Sequence, residues 1–281
     1  MQVTEFVRTY TRNFRVINLG NGAKDKLNLF GIAVLQSIPK RSVRLKDGIE
    51  NIIDTVFRGV VVEIDEIKYA LVDRESFEII NDSESFISLW LKPTKGEVLL
   101  DIGAHIGKYA LKTAKVVGDA GMVLAIEANP VNYQVLGKNL KLNNIENVIA
   151  LNLAAWNQDC TLKLFVGHLG GHHSVKINWN LGSYKVRARA LDDVIKEYEI
   201  NNVDWIKIDV EGAEWEALCG LTKTIEEHKA KIIVELSYEN LDMVKKFLKL
   251  HEYSIIKISP LFEGVVYGTF RKYAYFLLLP V

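Results

Sequence analysis

The stretch VLLDIGAHIG, residues 98–107, decides the fold of this 281-residue chain. Its apolar first half indicates a buried strand that contains Asp101, and its second half is a turn bracketed by Gly103 and Gly107. A helical pattern follows over residues 108–117. Glycines in such a turn let the backbone approach a ligand closely, and the first amides of the helix point at that ligand. The stretch therefore predicts a strand–turn–helix unit that binds a ligand.

The alternation of strand and helix continues towards the C-terminus, and its strands are apolar throughout. Such runs predict a parallel sheet that is covered on both faces. The further strands are predicted at residues 122–126, 148–151, 205–208 and 231–234. Residues 253–258 and 273–279 also indicate strands, and because no helix pattern separates them they are expected to be antiparallel. The prediction is an α/β, Rossmann-like sheet, mostly parallel, with an antiparallel C-terminal hairpin.

Residues 1–92 have a different pattern and predict a small N-terminal α+β extension. Helices are predicted at residues 4–17 and 24–37, and a short one at 83–92. Residues 41–72 indicate β structure with a turn near Asp65-Glu66. We therefore divide the chain into an N-terminal helical and β-hairpin region, 1–92, and a ligand-binding α/β domain, 93–281.

Composition excludes several classes of protein. The chain has 35 Lys+Arg and 35 Asp+Glu, and 49% of its residues are hydrophobic, which excludes a disordered chain and disfavours a general nucleic-acid coat. Cys160 and Cys219 are too few for a disulfide framework or a four-thiolate zinc site. No apolar run reaches the length of a membrane span, and the N-terminus lacks a signal-peptide pattern, so a cytoplasmic location is expected.

The net charge of zero includes two segments of opposite charge. Residues 1–46 contain nine Lys+Arg and two Asp+Glu, whereas residues 47–92 contain four and eleven. Arg8, Arg12 and Arg15 fall on one face of the first predicted helix. This basic face either meets an anionic substrate, RNA or a membrane surface, or docks on the acidic segment that follows it.

The glycine turn predicts the class of cofactor. The spacing from Gly103 to Gly107 is Gly-x-x-x-Gly, which is neither the dinucleotide fingerprint nor a phosphate loop. Glu127, twenty residues beyond Gly107, ends the next strand and can accept two hydrogen bonds from a ribose diol. Both NAD and S-adenosylmethionine carry that diol. The glycine spacing, Asp101 and the terminal hairpin together favour S-adenosylmethionine.

Several motifs in this order resemble one family. Residues 98–107 resemble the opening motif of FkbM-type methyltransferases, and IDVEGAE, residues 208–214, resembles that family's most characteristic motif. Further resemblances lie at Leu191-Asp192-Asp193, Leu218-Cys219-Gly220 and Val234-Glu235. The resemblance covers residues 77–281, and more loosely residues 44–48.

The resemblance implies a class I, S-adenosylmethionine-dependent methyltransferase that commonly methylates a hydroxyl of a small molecule or a sugar-containing substrate. By position, Asp101, Gly103 and Gly107 would line the methionine side, Glu127 would hold the ribose, and Ala154 would border adenine. The remaining expected cofactor-binding residues are Ala104, His105 and Asn129. His105 stands where asparagine is more familiar, so it either contacts the cofactor carboxylate or is an ordinary turn histidine.

Transfer to a hydroxyl is helped by a general base. Asp209 ends the fourth parallel strand at the edge where ligands bind in such sheets, and Glu211 and Glu235 lie close to that edge. These carboxylates are candidates for the base. A divalent metal held by them is an option that we do not expect, and no metal ligand is assigned. His173, in the glycine-rich loop 167–174, is a further candidate base near neutral pH.

The leading hypothesis is an O-methyltransferase acting on a small-molecule or saccharide acceptor. One alternative is an RNA methyltransferase, because residues 127–130, Asn139 and Leu142-Asn143 also resemble class I enzymes that act on transfer RNA. Another is a non-catalytic binding protein that keeps the cofactor fold. No motif identifies the acceptor or the oligomeric state.

Overall fold

A mixed sheet forms the centre of the computed structural model, which describes residues 16–36, 49, 52–83, 85–167, 171–266 and 269–281. The strands of this sheet are β3 Val98–Ile102, β4 Met122–Ile126, β5 Val148–Leu151, β9 Trp205–Ile208, β10 Lys231–Ser237, β11 Tyr253–Lys257, β12 Phe262–Val266 and β13 Thr269–Pro280. Their order in the sheet is β11-β13-β10-β9-β3-β4-β5, and β12 pairs with β13 beside this path. Strands β10, β9, β3, β4 and β5 are parallel, whereas β13 is antiparallel to its neighbours.

The predicted α/β sheet with an antiparallel C-terminal hairpin is confirmed. The pairing of β11 with β13 is antiparallel, and it matches Tyr253 to Pro280. Alternate residues of β3 point to opposite faces, because Leu99 belongs to one apolar core and Leu100 and Ile102 to the other. Both faces are therefore covered, as the continuous apolar runs predict.

Helices connect the strands and lie on both faces. The helix after β4 begins as predicted, with the Asn129 side chain accepting hydrogen bonds from the amides of Val131 (2.7 Å) and Asn132 (3.3 Å). The α-helices with defined bounds are α1 Ala23–Gln36, α2 Arg74–Glu78, α3 Ser85–Trp90, α4 Lys108–Val117, α5 Pro130–Leu142, α6 Leu191–Glu197, α7 Glu214–Cys219, α8 Thr222–His228 and α9 Leu241–Leu250. A π turn, Ile79–Ser83, joins α2 to the segment before α3, and 3-10 turns span Val16–Leu19 and Gly118–Ala120.

The N-terminal region departs from the prediction in one segment. Strands β1 Val61–Ile64 and β2 Ile67–Ala70 form the expected hairpin around Asp65-Glu66, but residues 52–57 are helical, not β. Ile49, Ile53 and Phe57 are buried at four-residue intervals, which is the period of a helix face. The expectation of β structure over 41–72 is therefore wrong for residues 52–57. Residues 4–15, with Arg8, Arg12 and Arg15, lie outside the described residues.

The N-terminal hairpin docks on α5 through two asparagines. Asn139 Oδ1 accepts from the amide of Ala70 (2.7 Å), and Asn139 Nδ2 donates to the carbonyl of Ala70 (3.3 Å). Asn143 makes the same pair of bonds with Lys68, at 2.8 and 2.7 Å. These amides replace a missing strand partner on the hairpin edge. Asn139 and Asn143, which contribute to the resemblance to class I enzymes that act on transfer RNA, thus hold the hairpin against α5.

The structure also contains a second, three-stranded sheet that was not predicted from the sequence. Its order is β6-β8-β7, with β6 parallel and β7 antiparallel to β8. The alternation of Val186 and Ala188 with Lys185, Arg187 and Arg189 was a signal for β8. The strands are β6 Ala154–Trp156, β7 Cys160–Phe165 and β8 Ser183–Ala190. None of the helices in the described residues is long and apolar enough to cross a membrane.

Candidate functional site

A cavity of about 430 Å³ opens at the carboxyl ends of β3, β4, β9 and β10. The turn after β3, the end of β4 and the loop after β9 form its base. Glu75 and Phe86 reach it from the N-terminal region, and Tyr273 and Tyr275 from the C-terminal strand. The cavity therefore combines the predicted cofactor turn with residues from both ends of the chain.

The turn after β3 brings two strands into unusually close contact. Gly103 has φ +78°, and a Cβ built on it would lie 1.8 Å from the carbonyl oxygen of Asp209. The amides of Gly103 and Ala104 both donate to the carbonyl of Ile126, each at 2.9 Å. Only glycine satisfies both the backbone angle and the space at this position.

Glu127 closes the end of β4 as a buried carboxylate. Its Oε2 accepts from the amide of His105 (2.7 Å), and its Oε1 accepts from the amide of Asn129 (2.8 Å). Burial raises the pKa of Glu127 to about 7, although these two amide bonds act in the opposite direction. Each oxygen keeps a second lone pair, so the carboxylate can still accept hydrogen bonds from a diol.

His105 presents an imidazole whose polar atoms are not satisfied by the protein. Both ring nitrogens are buried, and neither has a hydrogen-bond partner among the described residues. Burial lowers the pKa of His105 to about 4, so the ring is neutral near pH 7. A buried polar group without a partner is costly, so the ring of His105 has hydrogen-bonding capacity left for a ligand or a water molecule.

Lys207 lines the cavity and lies between two carboxyl groups. Its ammonium donates to the carbonyl of Gly103 (3.0 Å) and stands 3.7 Å from Asp101 Oδ1 and 3.6 Å from Asp209 Oδ2. Burial raises the pKa of Asp101, and the charge of Lys207 opposes that shift. Sequence reasoning missed Lys207, although one lysine within the apolar strand β9 was a signal for it.

Asp209 is held from the C-terminal strand. Its Oδ2 accepts a 2.8 Å hydrogen bond from the phenol of Tyr275. No described group donates a hydrogen bond to its other oxygen, Oδ1. Tyr275 also packs on Phe86, with ring centroids 5.1 Å apart. The carboxylate is thus fixed through one oxygen while the other remains available to a ligand.

The loop after Asp209 is shaped by a second buried carboxylate. Glu214 Oε1 accepts from the amides of Gly212 (2.9 Å) and Val210 (3.2 Å), and burial raises the pKa of Glu214 to about 7. Glu211 has φ +56°, and its carbonyl accepts from the hydroxyl of Ser174 at 2.6 Å. Glu211 and Glu214 both line the cavity, and Glu214 also supports the loop through these two hydrogen bonds.

The histidine loop is tied to the N-terminal region. Glu75 Oε2 accepts from the amide of Gly171 (2.6 Å), and Glu75 Oε1 lies 3.3 Å from His172 Nε2. His173 Nδ1 accepts from the amide of Gly167 (3.1 Å), so neutral His173 carries its proton on Nε2. Burial lowers the pKa of His173 to about 4. His168 lies outside the described residues.

Most of the predicted site residues share this one cavity. Those that line it are Gly103, Ala104, His105, Glu127, Ala154, His173, Asp209, Glu211 and Glu235. Three others lie behind the lining: Asp101 against Lys207, Gly107 at the start of α4, and Asn129 as the cap of α5. Sequence reasoning missed Glu75, Lys207 and Tyr275. The described residues contain no group of three or more His, Cys, Asp or Glu side chains that could hold a metal ion.

Comparison with known proteins shows the family of the chain through one family model. A family model described as "Methyltransferase FkbM domain" matches residues 101–255, more than half of the chain. Methyltransferase sdnD of Sordaria araneosa is 28% identical over 169 residues, covering 49% of this chain and 65% of that relative. Hexuronic acid methyltransferase AglP of Haloferax volcanii is 24% identical over 197 residues, covering 68% of this chain and 80% of the relative.

Among solved structures, the methyltransferase FkbM of Methylobacillus flagellatus is similar, with a TM-score of 0.46 and 17% identity. The match covers 97% of this chain and 60% of that one. This chain thus spans slightly less than two thirds of the length of the sdnD relative and of this structure.

Proposed function

The chain belongs to the FkbM methyltransferase family, and from that premise we propose that it transfers a methyl group from S-adenosylmethionine to a hydroxyl group of a small molecule or a saccharide. The observation that carries this proposal is the setting of Asp209. Its carboxylate lines the cavity beside the Gly103 turn, with Oδ2 held by Tyr275. A carboxylate that is held in place beside the cofactor turn is suited to act as the general base that takes the proton of an acceptor hydroxyl.

The residues of the cavity suit S-adenosylmethionine. Glu127 has lone pairs left for a ribose diol, and Ala154 lines the cavity as a small apolar neighbour for adenine. The unpartnered ring nitrogens of His105 can bond the polar end of the cofactor. When bound, S-adenosylmethionine supplies a methyl group on a sulfonium that is already activated for displacement.

In the proposed reaction, Asp209 Oδ1 takes the proton of the acceptor hydroxyl as the oxygen becomes nucleophilic. The Tyr275 phenol and the Lys207 ammonium hold the carboxylate in place through Oδ2. His173 is less suited to be the base, because its Nδ1 already accepts from Gly167 and its pKa is lowered to about 4. We assign His173 the role of a hydrogen-bond donor from Nε2.

The saccharide part of the proposal is supported by one relative. AglP, which matches over 68% of this chain, is named for methylation of a hexuronic acid. A ring with several hydroxyls also suits a cavity that mixes carboxylates with aromatic side chains. The proposed acceptor is therefore a hydroxyl-bearing ring of small size.

The test separates binding from transfer. Isothermal titration calorimetry with S-adenosylmethionine should show saturable binding, and its absence from folded protein would refute the proposal. Transfer of a radiolabelled methyl group is then measured over a panel of saccharides and hydroxylated small molecules. Replacement of Asp209 by asparagine keeps an acceptor for Tyr275, so cofactor binding should persist while transfer falls by roughly 100-fold or more, the usual contribution of a general base. Binding without transfer to any acceptor would instead indicate a non-catalytic protein.

A further inference from the structure

The strand order separates two ends of the cavity. Glu127 follows β4 and Gly103 follows β3, whereas Asp209 follows β9 and Tyr275 lies on β13, beside β10. Neighbouring strands are about 4.8 Å apart, so the steps from β4 to β13 add up to roughly 19 Å. We call the part around Gly103, Glu127 and Ala154 the cofactor end. The part around Asp209 and the aromatic residues of the C-terminal strands is the acceptor end.

Four of the aromatic side chains that line the cavity form one wall at its acceptor end. The ring centroid of Phe86 lies 5.1 Å from that of Tyr275 and 6.0 Å from that of Phe262. Phe262 stacks in turn on Tyr273, at 5.3 Å and with an interplanar angle of 22°. Phe86, Phe262 and Tyr273 are only partly buried and they also line the cavity, so this aromatic wall presents ring surface to a ligand.

The register of the C-terminal strands sets the aromatic wall. Tyr273 pairs with Phe262 of β12 on one side and with Ser237 of β10 on the other. Directly opposed residues of antiparallel strands project from the same face of a sheet, and so does Tyr275, two positions further along β13. Phe86, from α3 of the N-terminal region, completes the wall. The hydroxyl groups of Tyr273 and Ser237 therefore lie in the same row as the ring surfaces.

The aromatic wall is connected directly to the proposed base. The ring of Tyr275 packs on Phe86, and its phenol donates a 2.8 Å hydrogen bond to Asp209 Oδ2. A ligand ring that lies against the wall is therefore one side chain away from Asp209. A hydroxyl on the edge of that ring can then meet Asp209 Oδ1, the oxygen that takes the proton in the proposed reaction.

Ring surfaces bordered by hydroxyl groups match the chemistry of a pyranose. The C–H groups on a pyranose face are slightly positive, and they pack against the negative face of an aromatic ring. The hydroxyl groups around the pyranose rim exchange hydrogen bonds with polar side chains, as Tyr273 and Ser237 offer here. An acyclic polyol lacks the flat face, and a simple phenol lacks the rim of hydroxyl groups.

We propose that the aromatic wall is the platform for the methyl acceptor, and that the acceptor is a pyranose whose C–H face stacks on Phe262 and Tyr273 while a rim hydroxyl meets Asp209. The inference rests on the proposed function, because it names the substrate class of the same site and the residues that select it. Phe86 positions the platform through its contacts with both Tyr275 and Phe262.

The test uses the full chain saturated with S-adenosylhomocysteine and measures ligand binding by saturation-transfer NMR. The probes are the methyl pyranosides of glucose, galactose and mannose, the matching alditols glucitol, galactitol and mannitol, and catechol as a planar ring. At least one pyranoside should bind about tenfold more tightly than its alditol, with saturation strongest on the C–H protons of one ring face. Binding of no pyranoside, equal binding of pyranoside and alditol, even saturation of both ring faces or tighter binding of catechol would overturn the inference.

Variants of the aromatic wall locate the stacking. Phe262→Leu keeps an apolar side chain but removes the ring, so pyranoside binding should weaken by roughly three- to tenfold. Phe86→Leu, on a different element, should have the same effect and is the second variant in case Phe262→Leu does not fold. Tyr273→Phe keeps the ring without its hydroxyl, so the same ring face should remain the most saturated. Wild-type affinity in both leucine variants would also overturn the inference.

A matched control lies outside the cavity. Phe247 is likewise a partly buried phenylalanine in an aromatic pair, with its ring centroid 5.8 Å from that of Trp215, but it does not line the cavity. Phe247→Leu should therefore leave pyranoside binding unchanged. Calorimetry of S-adenosylhomocysteine on the wild-type chain distinguishes the two failures. Absent cofactor binding refutes the proposed function, whereas intact cofactor binding without pyranoside stacking refutes only the acceptor platform.

Discussion

Replacement of Gly103 by alanine should separate the ends of β3 and β9 and damage the cofactor end of the cavity. The added Cβ would lie 1.8 Å from the Asp209 carbonyl oxygen and 2.9 Å from its carbonyl carbon. Ordinary contacts between heavy atoms lie near about 3.5 Å, so one backbone segment has to move. Because both neighbours are backbone atoms of paired strands, no side-chain rotation relieves the overlap.

Two contributions determine how much Gly103→Ala lowers the free energy of unfolding. A positive φ costs an alanine roughly 1–2 kcal/mol, and overpacking of a tight interior typically adds about 1–3 kcal/mol. Gly59→Ala is the matched control, because Gly59 has φ +79° against +78° for Gly103 but nothing within 4 Å of its added Cβ. The free energy of unfolding of Gly59→Ala should therefore fall only by the cost of the positive φ.

Equilibrium urea unfolding of the two variants measures the difference in the free energy of unfolding. Gly103→Ala should be less stable than Gly59→Ala by about 1–3 kcal/mol. Calorimetry should also show S-adenosylmethionine affinity reduced at least tenfold in Gly103→Ala alone, because Asp209 and the turn move together. If both variants lose the same stability and keep the same cofactor affinity, the close approach of Gly103 to Asp209 does not exist as described.

Two further predictions concern the buried carboxylates. The pKa of Glu214 in the folded protein, about 7, lies above its ordinary value. The contribution of Glu214 to the free energy of unfolding is therefore most favourable below about pH 4.5 and is lost as the pH rises through 7. Glu214→Gln keeps the acceptor for the Gly212 amide and removes the buried charge, so it should raise the free energy of unfolding at high pH. In urea titrations the gain should be larger at pH 8.5 than at pH 4.5, by up to about 3 kcal/mol. An equal gain at both pH values contradicts this prediction. For Glu127, with a pKa of about 7, calorimetric affinity for S-adenosylmethionine should fall as the pH drops from 8 to 6, because the ionised form is the better acceptor for a diol. Glu127→Gln should bind roughly tenfold more weakly and lose this pH dependence; an unchanged slope would show that another group titrates.

The N-terminal region has a direct part in the cavity. Leu29, Phe57 and Tyr69 share one apolar core with Leu99 and Ala110 of the α/β part. Glu75 holds the histidine loop, and Phe86 packs on the ring of Tyr275. We therefore propose that the division between residues 1–92 and 93–281 separates two sequence patterns within one folding unit. The acceptor end would then be incomplete without the N-terminal region.

The limits of sequence reasoning are clearest in residues 41–72. The runs at β1 and β2 indicate strands correctly, but the spacing of Ile49, Ile53 and Phe57 is that of a helix. Buried β-branched residues are common in both helices and strands. The prediction gave more weight to these residue types than to the four-residue spacing of the apolar positions, and it was therefore wrong for residues 52–57. The small sheet was missed for the related reason that β8 is half exposed and carries three basic residues.

What the sequence determined by itself is the strand–turn–helix at residues 98–107, the run of parallel strands and the carboxylates at their ends. These are local patterns of hydrophobicity, glycine spacing and capping, and they act within a few residues. The glycine spacing and Asp101 also favoured S-adenosylmethionine as the cofactor, together with the terminal hairpin.

Only the tertiary structure decided which groups meet at the site. Lys207 stands beside Asp101 because the register of β3 and β9 pairs these two positions. Tyr275 reaches Asp209 across 66 residues of sequence because β13 returns antiparallel beside β10. Glu75 contacts His172 because the N-terminal region packs over the same edge. Such contacts depend on packing between distant segments, and no local pattern of hydrophobicity encodes them.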